Sequence, residues 1–320
     1  MRSIIGPAMT AVLLAMITTS ALAQFAQPDP TTTPSRYGET QTQRWKAGII
    51  VQANSGPCTG IVGYTTVPTD WPEQEVKIVE EDISPNARVT YKMVDNMAKQ
   101  MTVQIPRIAS GQTAKAVVTF EVTRKTMYPP TNTAAFRMPD TDKLDFSVRK
   151  FLGASPLIET TDPRIRSLAA ELTRDIPGAW DKVEAIYDWV RDNVEYKNGP
   201  IKGARAALND GTGDCEELTS LFIALCRNVG IPARTVWVDG HCYPEFYLVD
   251  SQERGYWLPC QAAGSRALGG ILEARPVLQK GDSIRPTYKR STPQRYLADH
   301  LVGSGDSRPS VQFVRQRAAN

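Results

Sequence analysis

The chain has 320 residues, 41% of them hydrophobic and 22% charged, with a formal net charge of +3. That length allows two domains, each with its own core, and the composition excludes a disordered chain. So small a charge, with Lys and Arg spread along the sequence, excludes nucleic-acid binding by bulk electrostatics.

The N-terminus reads as a targeting segment. Arg2 supplies a positive charge, residues 8–19 (AMTAVLLAMITT) form a short apolar run, and Ala21-Leu22-Ala23 is an A-x-A cleavage signal. A signal peptide is therefore expected over 1–23, with export to the periplasm or the exterior. The apolar run is too short to span a bilayer comfortably. No later stretch reads as a span, so no integral membrane segment is expected after cleavage. Residues 24–44 are polar and contain prolines, which predicts a flexible leader.

From Trp45 to about Tyr128 apolar residues fall at every second position, as in Met101, Val103 and Ile105, or Ala116, Val118, Phe120 and Val122. Turn signals such as Ser84-Pro85-Asn86 and Ser110-Gly111 separate the runs. Short strands with one buried face predict an antiparallel β-sandwich over 45–128, with no chemistry of its own. Residues 129–161 open with Pro129-Pro130 and read as a connector. Asp162-Pro163 is an N-cap followed by proline at the first helical position, and Ile165, Leu168, Ala169 and Leu172 line one helical face. A second helix is predicted over 179–195, with Trp180, Val183, Ile186, Tyr187, Val190 and Val194 as its buried stripe.

The chemistry gathers further on. The cysteines are Cys58, Cys215, Cys226, Cys242 and Cys260, and the histidines are His241 and His300. An odd cysteine count in an exported chain leaves at least one thiol free or paired between molecules. Asp214 reads as an N-cap with Glu217 three residues on, a start resembling a capping box. Leu218, Leu221, Phe222, Leu225 and Val229 recur at helical spacing, and Gly230 and Pro232 close the helix. Cys215 thus falls in the first turn. It is either a small buried thiol at a tight turn or a nucleophile whose anion the helix terminus favours. Asp214, Glu216 and Glu217 oppose that anion, so a positive neighbour is needed. Cys226 lies on the apolar stripe and reads as a packed core thiol.

Two strand-like runs, 241–249 and 254–261, flank the polar turn Asp250-Ser251-Gln252-Glu253. A hairpin centred on Ser251 sets His241 opposite Gln261, an imidazole against a carboxamide that can accept its N–H. On the other face it sets Cys242 opposite Cys260. A Cys242–Cys260 disulfide is the expectation from that register, the alternative being two reduced core thiols. Neither CxxC nor HxxxH occurs, so no metal site is expected. His300 sits in a polar segment and reads as a surface residue.

Gly213-Asp214-Cys215, the helix running on to Asn228-Val229-Gly230-Ile231-Pro232-Ala233-Arg234, His241 followed by Pro244-Glu245, and Trp257-x-Pro259 together resemble the transglutaminase-like superfamily over about residues 160–265. The resemblance implies a papain-like fold, with a nucleophile-bearing helix packed on an antiparallel sheet that bears the base. The whole is then α+β: the N-terminal β-sandwich, a transglutaminase-like core over 162–265, and a C-terminal extension over 266–320, partly packed on the core. By position the resemblance implies Cys215 as nucleophile and His241 as base. Gln261 stands where the family usually carries Asp, and a neutral amide orients a ring without stabilising its charge. Tyr196 is a candidate for oxyanion support or simply for packing. The implied function is exported thiol acyl transfer on peptide or glutamine amides through a Cys215 thioester, with hydrolysis favoured over cross-linking. A protein or peptide substrate and no cofactor are implied. The alternative is a binding or scaffolding module in which Gln261 marks a decayed triad.

Overall fold

A computed structural model describes residues 36–305 and 308–318. The signal segment expected over 1–23 lies outside the described residues. Strands come first: β1 (Arg36–Gln52), β2 (Cys58–Val67), β3 (Gln74–Ile83), β4 (Arg88–Val94), β5 (Ala98–Ile108) and β6 (Thr113–Tyr128). After a short helix α1 (Phe146–Arg149) come α2 (Pro163–Thr173), α3 (Ala179–Asn193), β7 (Glu195–Tyr196), α4 (Ala204–Asp210), β8 (Thr212–Gly213) and α5 (Cys215–Asn228). The chain ends in β9 (Ala233–Val238), β10 (His241–Val249), β11 (Gly255–Pro259), β12 (Val277–Lys280), β13 (His300–Gly305) and β14 (Ser310–Arg317).

Two large antiparallel sheets result. One has the order β14-β1-β6-β3, the other β11-β10-β9-β12-β5-β2-β13 with β4 also on β5. The alternation seen in the sequence sets their facing. Trp45, Ala47, Ile49 and Val51 pair with Phe120, Val118, Ala116 and Ala114, and all eight are buried in one cluster with Met101, Val103 and Ile105 of the other sheet. A one-residue slip would turn every one of these side chains to solvent.

Two expectations about segment ends change. The leader expected over 24–44 gives way to strand from Arg36, where β1 continues opposite β6, with Thr42 and Thr123 hydroxyls 2.9 Å apart. Backbone pairing carries this stretch, so its polar composition did not betray it. The segment 266–320 contributes strands inside the sheets. β12 lies between β9 and β5, β13 extends β2, and β14 extends β1. An ionic cluster fastens β12: Lys280 Nζ lies 2.7 Å from Glu73 and 2.6 Å from Glu245, and Arg234 lies 2.7 Å from Glu245.

The helices pack over β9–β11 around α5, which is buried along its whole middle, Glu217 to Arg227. Such a helix is a core element. Phe222 and Leu225 meet Phe246 and Leu248 of β10 and the stripes of α2 and α3. At the far end of α5 buried Arg227 is satisfied by both Asp282 oxygens at 2.9 Å, the Ala233 carbonyl and the Ser155 hydroxyl. These contacts fix α5 against β10.

Candidate active site

Cys215 is the first helical residue of α5, and local chemistry sets it there. Asp214 Oδ1 accepts the Glu216 N–H at 2.8 Å, and Glu217 reaches back to accept the Asp214 N–H at 3.1 Å. Its other oxygen accepts the Lys202 N–H at 2.9 Å. One buried carboxylate thus ties the loop before α4 to the helix start. Gly213 is needed because a Cβ there would lie 2.4 Å from the Glu217 Cβ.

His241 enters from the other side, as the first residue of β10. The β9–β10 turn delivers it through Gly240, whose φ of +64° favours glycine. Arg275 braces that turn, donating to the Asp239 carbonyl at 2.9 Å. His241 Nε2 meets Gln261 Oε1 at 3.2 Å. The carboxamide oxygen accepts, so Nε2 carries the hydrogen and Nδ1 is left for the Cys215 sulfur, which the ring also hydrogen-bonds. Gln261 is itself held: its carbonyl accepts from Tyr187 Oη at 2.8 Å and Arg191 at 2.9 Å.

The hairpin register differs from the expected one by two residues. Glu245 pairs with Pro259, Phe246 with Leu258 and Tyr247 with Trp257. The Cys260 N–H therefore bonds the Pro244 carbonyl, and Cys242 is diagonal to Cys260, too far for a bridge. The expected Cys242–Cys260 disulfide is absent, and both are free buried thiols. Cys260 packs in the helical core with Cys226, whereas Cys242 lies beneath the start of α5, its Sγ 3.5 Å from the Cys215 carbonyl oxygen.

The electrostatics follow from these contacts. The Cys215 thiol is drawn down to about 5. The hydrogen bond from the Cys242 thiol is the largest cause, burial opposes it, and the His241 ring and the Cys242 backbone N–H add to the lowering. For His241, burial acts downward, but the hydrogen bond and charge of Cys215 and the bond to Gln261 outweigh it, so the ring is held above its ordinary range. The two shifts are those of a thiolate–imidazolium pair. Cys226 and Cys260 are pushed up by burial and stay protonated.

A cleft of about 290 Å³ opens beside Cys215 and His241. Its wall includes Trp237, Arg295, Tyr296 and Arg315. The Trp237 and Tyr296 rings lie 5.3 Å apart, and the Arg295 guanidinium sits 5.0 Å over Trp237 while pairing with Glu216. Sequence reasoning missed this wall and the Cys242 contact, because nothing in the local pattern of residues 295–315 marks them as neighbours of α5. Tyr196 is exposed beside the site, pairing through its backbone with Gly213. His300 does not line the cleft; it stacks on Tyr288 at 4.2 Å. Among the described residues no cluster of three or more His, Cys, Asp or Glu could hold a metal, and no helix is long and apolar enough to cross a membrane.

Residues 166–262, a span holding Cys215, His241 and Gln261, match the family model of the transglutaminase-like superfamily. The segment is similar to the transglutaminase-like superfamily. The chain also matches an uncharacterized protein, YebA of Bacillus subtilis (strain 168), at 32% identity over 99 residues. That match covers 28% of this chain and 13% of YebA, so the chain spans a small part of the length of that curated relative. A candidate cysteine protease from Cytophaga hutchinsonii shares the fold, with a TM-score of 0.59 over 89% of this chain and 93% of that one, at 18% identity. The periplasmic domain of TgpA from Pseudomonas aeruginosa aligns over 73% of this chain and 91% of its own, at a TM-score of 0.34 and 14% identity, too distant to bear on the fold. Around the transglutaminase-like segment, the flanking strands and the wall at residues 295–315 lie outside the matched residues.

Proposed function

We propose that the chain is an exported thiol acyl-transfer enzyme acting on peptide or glutamine amides. Cys215 passes its proton to His241 Nδ1, and the thiolate attacks the amide carbonyl. The oxyanion forms beside the Cys215 backbone N–H at the start of α5. The imidazolium then protonates the departing amine, leaving a thioester on Cys215. His241 next takes a proton from water, whose oxygen attacks the thioester and releases the acid and the thiol.

One observation carries this reading: the Cys215 sulfur, at a helix start, is hydrogen-bonded by an imidazole that Gln261 backs at 3.2 Å. Fold likeness alone would not suffice. Water is the favoured second acceptor, since none of the sequence motifs marks an amine-binding site. The papain-like arrangement of helix and sheet, and an N-terminal sandwich as its companion, belong to the same reading. Export rests on Arg2, the apolar run at 8–19 and Ala21-Leu22-Ala23.

Iodoacetamide labelling of Cys215 against pH tests the reading. Reaction should rise with a midpoint near 5 and vanish in Cys215→Ala, and His241→Ala should move the midpoint upward. A wild-type midpoint above about 8, that of an ordinary thiol, would leave only the inactive binding or scaffolding module.

A further inference from the structure

Cys242 follows His241 on β10, and neighbouring strand residues point to opposite faces. His241 therefore reaches the nucleophile from the cleft side, while Cys242, 1% exposed, comes from beneath α5. Its Sγ lies 3.5 Å from the Cys215 carbonyl oxygen, which puts the Cys215 side chain and Thr219 of the same helical turn within the thiol's reach. The thiol hydrogen thus has alternative acceptors within reach: the carbonyl while Cys215 is neutral, the sulfur once Cys215 is an anion. A thiol is a weak donor in water, but aimed at an anion in a dry site its bond counts for more. Cys242 cannot compete for the role of nucleophile. Burial, then the neighbouring Cys215, holds its own proton far more tightly than an ordinary thiol would.

A second feature makes the bond consequential. Gln261, a neutral amide, stands behind the His241 ring. It orients the imidazolium but lends it no charge stabilisation. The ion pair must therefore be secured from the sulfur side.

We propose that Cys242 is a positioning residue for the nucleophile, its S–H donating to the Cys215 sulfur from beneath the helix and holding that sulfur as the anion. This rests on the reading of Cys215 as a nucleophile. The thiol acts only through Cys215 and touches no substrate, since it lies under the helix and outside the cleft lining.

The test is alkylation of Cys215 by iodoacetamide against pH, with the labelled peptide quantified by mass spectrometry, in full-length wild type and in Cys242→Ala, Cys242→Val and Cys242→Ser. Ala and Val remove the donor; Val fills the space if the Ala cavity prevents folding. Ser keeps a donor. The Ala and Val variants should show a midpoint raised by roughly 1 pH unit or more, with Ser within a few tenths of wild type. A merely structural role would change thermal stability in all three and leave the midpoint where it was. Folded Ala or Val variants with the wild-type midpoint would overturn the proposal and leave the nucleophile reading standing. A wild-type midpoint above about 8 would overturn both.

Discussion

Replacing Gln261 by Asp restores a charge behind His241, and the structure sets the size of the effect. The Gln261 oxygen lies 3.2 Å from Nε2. Asp is one methylene shorter, so its oxygen retreats to about 4.5 Å. At an effective dielectric of about 20, a charge pair at that distance interacts by about 3.7 kcal/mol. Both side chains are half-buried, and solvent screening cuts this to about 1–2 units of pKa. His241 already sits above its ordinary value, and Gln261→Asp should raise it further by that amount. Gln261→Ala, which removes the bond, should lower it. The chain holds 2 histidines, so an NMR titration of protein labelled at histidine resolves His241 from His300 without any substrate. A raised imidazolium persists to higher pH, so the neutral base needed for thioester hydrolysis appears later, and turnover near neutrality should fall in the Asp variant. A His241 titration unmoved by both substitutions would refute the contact and, with it, the role given to Gln261.

Two further outcomes follow from buried carboxylates. Glu217→Gln leaves one oxygen to serve the N–H groups of Asp214 and Lys202 and turns an amide donor toward the other. Urea unfolding should show a loss of about 1.5–3 kcal/mol, and a loss under about 0.5 kcal/mol would remove Glu217 as the tie between loop and helix. Glu245 is held well below the usual carboxylate range: burial pushes it up, but Lys280 and Arg234 outweigh that. Its folded value lies below its unfolded one, so its contribution is complete above about pH 4.3 and is lost as pH falls toward the folded value. The urea midpoint should drop between pH 4 and 2.5 in wild type and less so in Glu245→Gln; parallel curves would place the acid sensitivity elsewhere.

Helix α5 was legible because both its ends carry chemistry: Asp214 and Glu217 at the start, Gly230 and Pro232 after the finish, with observed bounds Cys215–Asn228. Strand faces were legible for a similar reason, since period-two alternation states which side is buried. Register was not. Sliding β11 by two residues leaves every hydrophobic side chain on its original face, so hydropathy scores both pairings alike. The turn decided it. Asp250 Oδ1 accepts from the N–H groups of Gln252 and Arg254 and builds a longer bend than a tight hairpin, without the Asn-Gly or Gly signature that would have announced its length. His241 and Gln261 still meet, because the same shift kept them on one side. The polar strand at Arg36–Arg44 and the cleft wall at Arg295 and Tyr296 depend on partners distant in sequence and leave no local trace.

The placement of β12 sets an order of events during synthesis. Val277–Lys280 emerges after every residue of the superfamily match, yet it is the slat that joins β9 to β5. Until it arrives, the half bearing Cys215 presents β9 as an unpaired edge, the kind of surface on which nascent chains cling to one another. A polypeptide halted just beyond the matched segment would hold Cys215 and His241 yet remain an open-sided fragment. Closure of the second sheet is thus deferred until Val277–Lys280 has left the ribosome.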